Sequence, residues 1–269
     1  MKLGIGSYTF GWAIGAASSG YTFGMDENGL LDAARDLGIH LVQIGDNLPL
    51  TAYEDGRLEH LASRAATEGI TLELGARGLK RGNLAANIAV ARRLNARILR
   101  FVIDAKNYFP SPEQVIAMLR EALPELTGGL TIAIENHDRF DALTLRRIIE
   151  GVGSVAVGVC LDTANSFGAG EGWREVATIL APYTVSLHIK DFAAERLPHQ
   201  MGFTIMGAPA GEGLLDVPQL LDQLLPYERC HSAILELWTP PEPTTEHTIA
   251  KERAWAYRSI EYLRPFFLA

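Results

Sequence analysis

The sequence predicts a single α/β domain, a closed (β/α)8 TIM barrel that spans residues 1–269. Short apolar runs rich in β-branched residues alternate with longer amphipathic segments, which is the pattern of successive βα units. Eight such pairs follow one another, and about 250 residues is the usual size of this barrel. The first strand lacks a glycine-rich phosphate-binding turn that leads into a helix, so an open doubly wound sheet is the weaker alternative.

Each predicted strand is a run of five to eight residues, nearly all apolar, as expected for parallel strands that are buried on both faces. The strands are predicted at residues 2–8, 40–44, 70–75, 97–103, 130–135, 155–162, 184–188 and 232–236.

A helix is predicted after each strand, and capping residues mark several helix ends. Asn83 and the Ser111-Pro112 pair are predicted to open helices, and glycines are predicted to close others. The closing glycines are Gly38, Gly69 and Gly128. The helices are predicted at residues 27–37, 57–68, 84–94, 112–126, 143–150, 173–180, 217–225 and 246–263.

Composition narrows the class of partner. Hydrophobic residues make up 48% of the chain and charged residues 21%, a balance that gives ample material for a core. The net charge of -8 disfavours nucleic acid, and the uncharged stretch 3–25 is too polar for a membrane span. Cys160 and Cys230 have no metal-binding spacing and are expected in the core, which fits a reducing cytoplasm. We expect a cytoplasmic protein with a small-molecule partner, and a homo-oligomer is compatible with the sequence.

The last four strands each end on a metal-compatible side chain. Ionisable groups that close apolar runs are costly to bury unless they are paired or bound to a cation. In a parallel barrel these ends converge on one mouth, where three carboxylates and an imidazole would repel unless a divalent ion lay between them. Oxygen-rich ligation favours Mn²⁺, Mg²⁺ or Co²⁺, and Zn²⁺ is also compatible. The four residues are Glu135, Asp162, His188 and Glu236.

A cation at this mouth predicts chemistry on a small keto-sugar or sugar acid. The ion would polarise a carbonyl and a neighbouring hydroxyl and stabilise an ene-diolate. Glu135 and Glu236 come from strands that are not neighbours, so one could remove a proton and the other return it. The first hypothesis is therefore a metal-dependent isomerase or epimerase with catalytic glutamates.

Four motifs resemble the xylose isomerase-like TIM barrels, the sugar phosphate isomerases and epimerases. They are Ile-Glu-Asn-His at 134–137, Cys-Leu-Asp-Thr-Ala-Asn at 160–165, Leu-His-Ile-Lys-Asp at 187–191 and Leu-Glu-Leu at 235–237. The resemblance covers nearly the whole chain. It implies that Glu135, Asp162, His188 and Glu236 are metal ligands and that both glutamates transfer protons. Asn165 stands where ketose epimerases commonly have a substrate-binding histidine, which puts epimerase-type contacts in doubt.

A carboxy-lyase is the main alternative. The segments 3–12 and 43–50 are similar to the 3-oxo-isoapionate decarboxylase-like subgroup of these barrels. Decarboxylation of a 3-oxo sugar acid would use the same metal and a cation for the substrate carboxylate. Lys190 lies two residues beyond His188, hence on the same face of the strand, and is the predicted cation, with a salt bridge as its other reading. A barrel that binds sugar acids without turnover is the second alternative.

Other polar and aromatic residues are predicted to complete the mouth. Asp46, His137, Asn165, Arg196 and Trp12 are the predicted substrate-binding residues. Residues 192–214 form the longest predicted connection, which we interpret as a structureless lid. Weaker candidates are the polar residues Asn47, Glu73, Arg100 and Asn136 and the aromatic residues Tyr8, Phe10, Tyr21 and Phe23.

Overall fold

The computed structural model describes residues 1–15 and 24–267, so the predicted wall residues Tyr21 and Phe23 lie outside the described part. Eight parallel strands close a barrel in the order β1-β2-β3-β4-β5-β6-β7-β10, and β10 pairs with β1. The predicted fold class is confirmed, and each predicted strand end lies within two residues of the observed one. The strands are β1 (Lys2–Gly6), β2 (Leu41–Ile44), β3 (Thr71–Arg77), β4 (Ile98–Val102), β5 (Thr131–Glu135), β6 (Val157–Asp162), β7 (Thr184–Ile189), β8 (Phe192–Arg196), β9 (Phe203–Gly207) and β10 (Ser232–Leu235).

The eight predicted helices are present, and a ninth short helix, α1, lies in the first βα connection, which was predicted as a loop. Buried residues in α7 recur at helical spacing, at Trp173, Val176, Ala177 and Leu180, and this pattern places one face against the barrel. The helices are α1 (Gly11–Ile14), α2 (Glu27–Asp36), α3 (Asp55–Thr67), α4 (Arg81–Arg93), α5 (Pro112–Ala122), α6 (Ala142–Val152), α7 (Trp173–Leu180), α8 (Val217–Leu224) and α9 (Thr245–Leu263).

The capping predictions have mixed outcomes. Ser111 caps α5 as predicted, because its hydroxyl accepts a hydrogen bond from the Gln114 backbone N–H. The three predicted closing glycines have positive φ angles of 63°, 67° and 70°. The prediction for Asn83 is wrong, since α4 already begins at Arg81 and Asn83 lies in its first turn. Its side-chain amide instead donates to the carbonyls of Arg77 and Gly78.

The segment predicted as a structureless lid contains an antiparallel hairpin instead. Strands β8 and β9 pair from Phe192 with Gly207 to Arg196 with Phe203. After the hairpin, the buried carboxylate of Asp191 accepts hydrogen bonds from the backbone N–H groups of Gly211, Gly213 and Leu215. These bonds satisfy backbone donors that a surface loop would leave to water, so this connection is ordered.

The barrel strands contain both apolar and polar buried residues. Fully buried apolar residues such as Ile5 and Phe101 belong to the core, whereas buried polar side chains of different strands form hydrogen bonds with one another. In the part of the chain that the structure describes, no helix is both long enough and apolar enough to cross a membrane. Buried polar and charged side chains in and next to these strands form the candidate site.

Candidate metal centre and active site

The predicted metal ligands meet at the carboxyl end of the barrel. Asp162 ends β6, His188 lies in β7, and Glu236 directly follows β10. One ligand atom from each of these three residues lies within 4.8 Å of the others, and all three are buried. Glu135, at the end of β5, lies within the same distance of His188 and of the Cys160 thiol. The fold therefore brings the four residues to one place, because neighbouring parallel strands end at the same edge.

Several buried atoms of this cluster lack a hydrogen bond from the described residues. They are Glu135 Oε2, Asp162 Oδ2 and His188 Nδ1, together with the Nε of Arg100. The two carboxylate oxygens face buried cations in ion pairs, and His188 Nδ1 faces the Glu236 carboxylate. Two carboxylate oxygens and an imidazole nitrogen are the atoms that a divalent cation takes as ligands, so the cluster fits such an ion.

Lys190 lies inside the cluster and forms salt bridges with two of the proposed ligands, while its predicted contact with a substrate carboxylate stays a prediction. Its Nζ is 2.9 Å from Asp162 Oδ2 and 3.1 Å from Glu236 Oε2, and it packs 5.0 Å from the centre of the Trp238 ring. Burial alone would lower the pKa of the Lys190 ammonium, but the neighbouring carboxylates outweigh burial and raise it. Lys190 is therefore protonated in the cluster.

Arg100, in the middle of β4, is a second buried cation. Its Nε lies 3.0 Å from Glu135 Oε2, and its Nη1 lies 3.3 Å from Asp46 Oδ1. Its Nη2 lies 4.0 Å from Glu236 Oε1. Burial opposes the charge on Arg100, yet the surrounding carboxylates raise its pKa, so it stays charged. Arg100 was only a weak candidate in the sequence, because one cation within an apolar strand has many possible partners.

The two glutamates have different environments. Burial raises the pKa of Glu135, and the nearby Asp162 and Glu236 carboxylates raise it further. Burial also opposes ionisation of Glu236, but the neighbouring imidazole and the two cations hold its pKa below the usual range. Two carboxyl groups with pKa values displaced in opposite directions suit separate roles as proton donor and electrostatic partner.

His188 is held as a neutral imidazole. Burial lowers its pKa to about 4. Its Nε2 lies 2.9 Å from Gln43 Oε1 in β2, and its Nδ1 lies 3.2 Å from Glu236 Oε1 and 3.8 Å from Asp162 Oδ2. The nitrogen that faces the carboxylates is thus Nδ1.

Two amide side chains support the ligands. Asn165, predicted to bind substrate, donates from Nδ2 to Glu135 Oε1 at 2.6 Å. Its Oδ1 accepts a hydrogen bond from Lys190 Nζ at 3.3 Å. Asn136 is buried, accepts a hydrogen bond from the Asp162 backbone N–H, and donates to the Asp162 carbonyl. Asp162 itself accepts from the backbone N–H groups of Ala164 and Asn165. The Asp162 carboxylate is thereby fixed in position before any cation binds.

Other predicted substrate-binding residues lie at the rim or away from the cluster. The Asp46 carboxylate lies between two arginines, Arg100 and Arg77. Its Oδ2 is 3.3 Å from Arg77 Nε. His137 is partly exposed, with its Nδ1 3.2 Å from Asp138 Oδ2, and burial lowers its pKa. These two residues border the site without entering the ligand cluster.

Trp12 and Arg196 make contacts that do not involve the cluster. The Trp12 indole N–H donates to the Thr239 carbonyl, and its backbone N–H donates to Glu252. The exposed Arg196 guanidinium stacks 4.3 Å from the centre of the Phe203 ring within the hairpin. Their roles in substrate binding stay predictions.

Sequence reasoning missed Gln43 and Trp238 as site residues. Gln43 is a polar residue within the otherwise apolar strand β2, and this feature of the sequence could have identified it as a site residue. Of the two cysteines expected in the core, Cys160 is buried beneath the cluster, whereas Cys230 is only partly buried.

The comparisons with known proteins agree with this fold. The chain belongs to the family described as xylose isomerase-like TIM barrel, whose model matches residues 31–265. Within that family, the chain is 33% identical over 264 residues to a 3-oxo-isoapionate decarboxylase of Pectobacterium atrosepticum, covering 98% of this chain and 95% of that protein.

Solved structures show the same fold at lower identity. A D-psicose 3-epimerase from Clostridium cellulolyticum H10, crystallised with D-tagatose, superimposes with a TM-score of 0.75 at 16% identity over 100% of both chains. A xylose isomerase-like TIM barrel protein from Mycobacterium smegmatis, in complex with magnesium, gives a TM-score of 0.71 at 18% identity over 97% of each chain. The similar proteins include both an epimerase and a decarboxylase, so the chain is expected to be an enzyme.

Proposed function

We propose that this protein is a divalent-metal-dependent decarboxylase of a 3-oxo sugar acid. The observation that carries the proposal is the charge balance of the buried cluster. Three carboxylates, those of Glu135, Asp162 and Glu236, face two buried cations, Arg100 and Lys190, and a neutral imidazole. With all three carboxylates ionised, a bound divalent ion would convert the remaining single negative charge into a single positive charge, which a substrate carboxylate would balance.

The proposed ligands of the ion are Glu135, Asp162, His188 and Glu236. The convergence of their buried carboxylate and imidazole groups supports this assignment. When bound, a divalent cation stabilises the negative charge that develops on the substrate's ketone oxygen. Oxygen-rich ligation with one nitrogen favours Mn²⁺, Mg²⁺ or Co²⁺, and Zn²⁺ also accepts these ligands.

The chain's own residues orient the substrate and exclude water. Lys190 holds the substrate carboxylate through its ammonium group, which the Trp238 ring shields on one side. The bond from the carboxyl carbon to C2 then breaks, CO₂ leaves, and the electron pair delocalises from C2 onto the C3 ketone oxygen. A proton then adds to C2. We assign its delivery to Glu135, because burial raises the pKa of Glu135 whereas the neighbouring cations lower that of Glu236.

The relative at 33% identity supports the same reaction, since it is a 3-oxo-isoapionate decarboxylase. A sugar isomerase or epimerase is the second candidate. The observation in its favour is that Glu135 and Glu236 extend from β5 and β10, which are separated by β6 and β7 in the barrel. Two such carboxyl groups are placed to act on opposite faces of a bound ketose.

One experiment separates the two reactions. Protein loaded with Mn²⁺ or Mg²⁺ is mixed in D₂O with 3-oxo sugar acids and, separately, with ketoses and their C3 epimers, and proton NMR and CO₂ release are followed. We expect CO₂ together with deuterium on the product carbon that was C2 of the substrate. Deuterium exchange or epimerisation of ketoses, with no CO₂ from any 3-oxo acid, would establish the isomerase instead.

The variant Lys190→Met tests the carboxylate-binding role. We expect KM for the 3-oxo acid to rise and kcat/KM to fall by about 100-fold or more, because a charge-assisted contact in a buried site is lost. Lys106→Met is the matched control, since Lys106 is exposed and should leave both constants unchanged. Equal kinetics in the two variants would remove Lys190 from the site.

A further inference from the structure

A chain of buried polar side chains crosses the barrel interior beneath the proposed metal centre. Gln43 and Glu73 are register partners on the adjacent strands β2 and β3, so their side chains lie side by side on one face. His188 reaches them from β7, which β10 and β1 separate from β2 in the barrel. The exposed fractions are 2% for Gln43, 4% for Glu73 and 0% for His188. Water therefore has little access to these groups, and each must find its partners within the chain.

The hydrogen bonds of this chain have a defined direction. Gln43 Nε2 donates to Glu73 Oε2 at 3.1 Å, since the ionised Glu73 carboxylate, the main form above its pKa of about 7, can only accept. The other amide atom of Gln43, Oε1, then faces His188 Nε2 at 2.9 Å. An amide oxygen carries no hydrogen, so Nε2 must be the protonated nitrogen of the neutral imidazole. The lone pair then lies on Nδ1.

The opposite tautomer would disable the centre. With its proton on Nδ1, His188 would donate to Glu236 Oε1, which lies 3.2 Å away. That hydrogen bond would engage two of the four proposed ligands with each other. In the structure, Nδ1 instead has no hydrogen-bond partner among the described residues.

We propose that Gln43 and Glu73 are positioning residues that fix the His188 tautomer and so present the Nδ1 lone pair to the metal. This inference rests on the metal centre of the proposed function but not on the reaction or its substrate. Glu73 acts through Gln43 because it fixes which end of the amide faces the imidazole. Outer partners of this kind typically contribute 10- to 100-fold to metal affinity.

The test has two readouts that need no substrate. Long-range ¹H–¹⁵N NMR of the metal-free protein reports which nitrogen of each histidine carries the proton, and a His188→Gln variant assigns the signals. Titration calorimetry with Mn²⁺ gives the metal affinity. We expect the wild-type His188 to be protonated on Nε2. In Gln43→Leu we expect the proton on Nδ1 and an affinity about 10- to 100-fold lower.

The matched control is Gln219→Leu, the same change in an exposed glutamine of α8, which should alter neither readout. Glu73→Gln is the second variant and decides the question if Gln43→Leu does not fold. Its amide both donates and accepts, so the Gln43 orientation is no longer fixed, and we expect a mixture of tautomers. Two results would overturn the inference. The first is a wild-type His188 that is protonated on Nδ1. The second is that Gln43→Leu and Glu73→Gln fold and keep the wild-type tautomer and the wild-type Mn²⁺ affinity.

The outcomes distinguish this inference from the proposed reaction. If the variants change the tautomer and affinity as expected but no 3-oxo acid loses CO₂, the positioning role stands and the proposed decarboxylase activity is wrong. If the protein decarboxylates and the tautomer is insensitive to both variants, the reverse holds. A wild-type protein that binds no divalent ion removes the metal-dependent function and the metal-presenting role together.

Discussion

The two halves of the barrel contribute different chemistry to one cluster. Strands β5, β6, β7 and β10 supply the proposed ligands at or next to their carboxyl ends. Strands β2, β3 and β4 supply Gln43, Glu73 and Arg100 from positions within the strands. The second half therefore holds groups that act at the mouth, and the first half holds groups that orient and neutralise them from below.

This difference has an energetic consequence. If the ligand Asp162 loses its charge, Lys190 still has Glu236 as an ion-pair partner. Removal of Arg100, by contrast, leaves the buried Glu135 without its neighbouring cation. We therefore expect substitutions in the second half to affect metal binding most, and substitutions in the first half to affect both binding and stability.

The largest effect is expected for Asp162→Asn in the ligand half. Loss of a charged ligand should lower Mn²⁺ affinity by more than about 100-fold, because losing only an outer partner typically costs 10- to 100-fold. The backbone N–H groups of Ala164 and Asn165 can still donate to the amide oxygen, so the fold should persist. Calorimetric titration and thermal unfolding measure the two quantities. Asp138→Asn, at an exposed position, is the control. If Asp162→Asn binds Mn²⁺ as tightly as wild type, Asp162 is not a metal ligand and the proposed difference between the two halves is wrong.

Arg100→Met in the supporting half should destabilise the metal-free protein by about 3–5 kcal/mol, the typical cost of breaking a buried ion pair from one side. Urea unfolding measures the free energy. The double variant Arg100→Met with Glu135→Gln should recover part of the loss, because the unpaired charge is gone. A stability of the single variant within about 1 kcal/mol of wild type would show that the first half does not carry this electrostatic role.

Glu252 of α9 provides a pH-dependent test of the contact between α9 and α1. Its carboxylate accepts hydrogen bonds from the backbone N–H groups of Trp12 and Ala13, and burial raises its pKa to about 7. The unfolded chain loses this proton near pH 4.5, whereas the folded protein keeps it until about pH 7, so the free energy of unfolding falls as pH rises between these values. The fall should reach about 3 kcal/mol.

Urea unfolding of wild type and Glu252→Gln from pH 4.5 to 8 measures this contribution. Glu73, whose pKa burial also raises to about 7, contributes equally to both proteins, so their difference isolates Glu252. We expect the two stability curves to diverge across the interval. If the free energies of unfolding of the two proteins change in parallel with pH, the contact between α9 and α1 does not depend on the Glu252 carboxyl group.

The smallest effect is expected for Arg196→Ala in the hairpin. The guanidinium is exposed and contacts Phe203 and the Gln200 carbonyl, so the free energy of unfolding should change by less than about 0.5 kcal/mol. We also expect kcat/KM to change less than about twofold. A tenfold loss of kcat/KM would instead support the sequence-based prediction that Arg196 binds substrate. The hairpin would then be part of the active site.

The ligand half was largely predictable from sequence, and the supporting half was not. Glu135 and Asp162 end apolar runs, and such a charged residue at the mouth of a buried strand is visible in the sequence. Gln43 and Arg100 lie inside strands, where their partners come from distant parts of the chain. The hairpin was missed because β8 and β9 have only five residues each and do not alternate regularly between apolar and polar residues.

The sequence by itself determined the barrel, the order of its strands and the identity of the proposed ligands, because periodicity and strand-end chemistry are local properties. The tertiary structure decided which nitrogen of His188 faces the carboxylates, where Lys190 lies between Asp162 and Glu236, and what neutralises Glu135. These choices depend on contacts across the barrel interior, such as the one between His188 and Gln43, which are 145 residues apart in the chain. Hydrogen-bond direction and charge balance arise only when such distant side chains share one buried space.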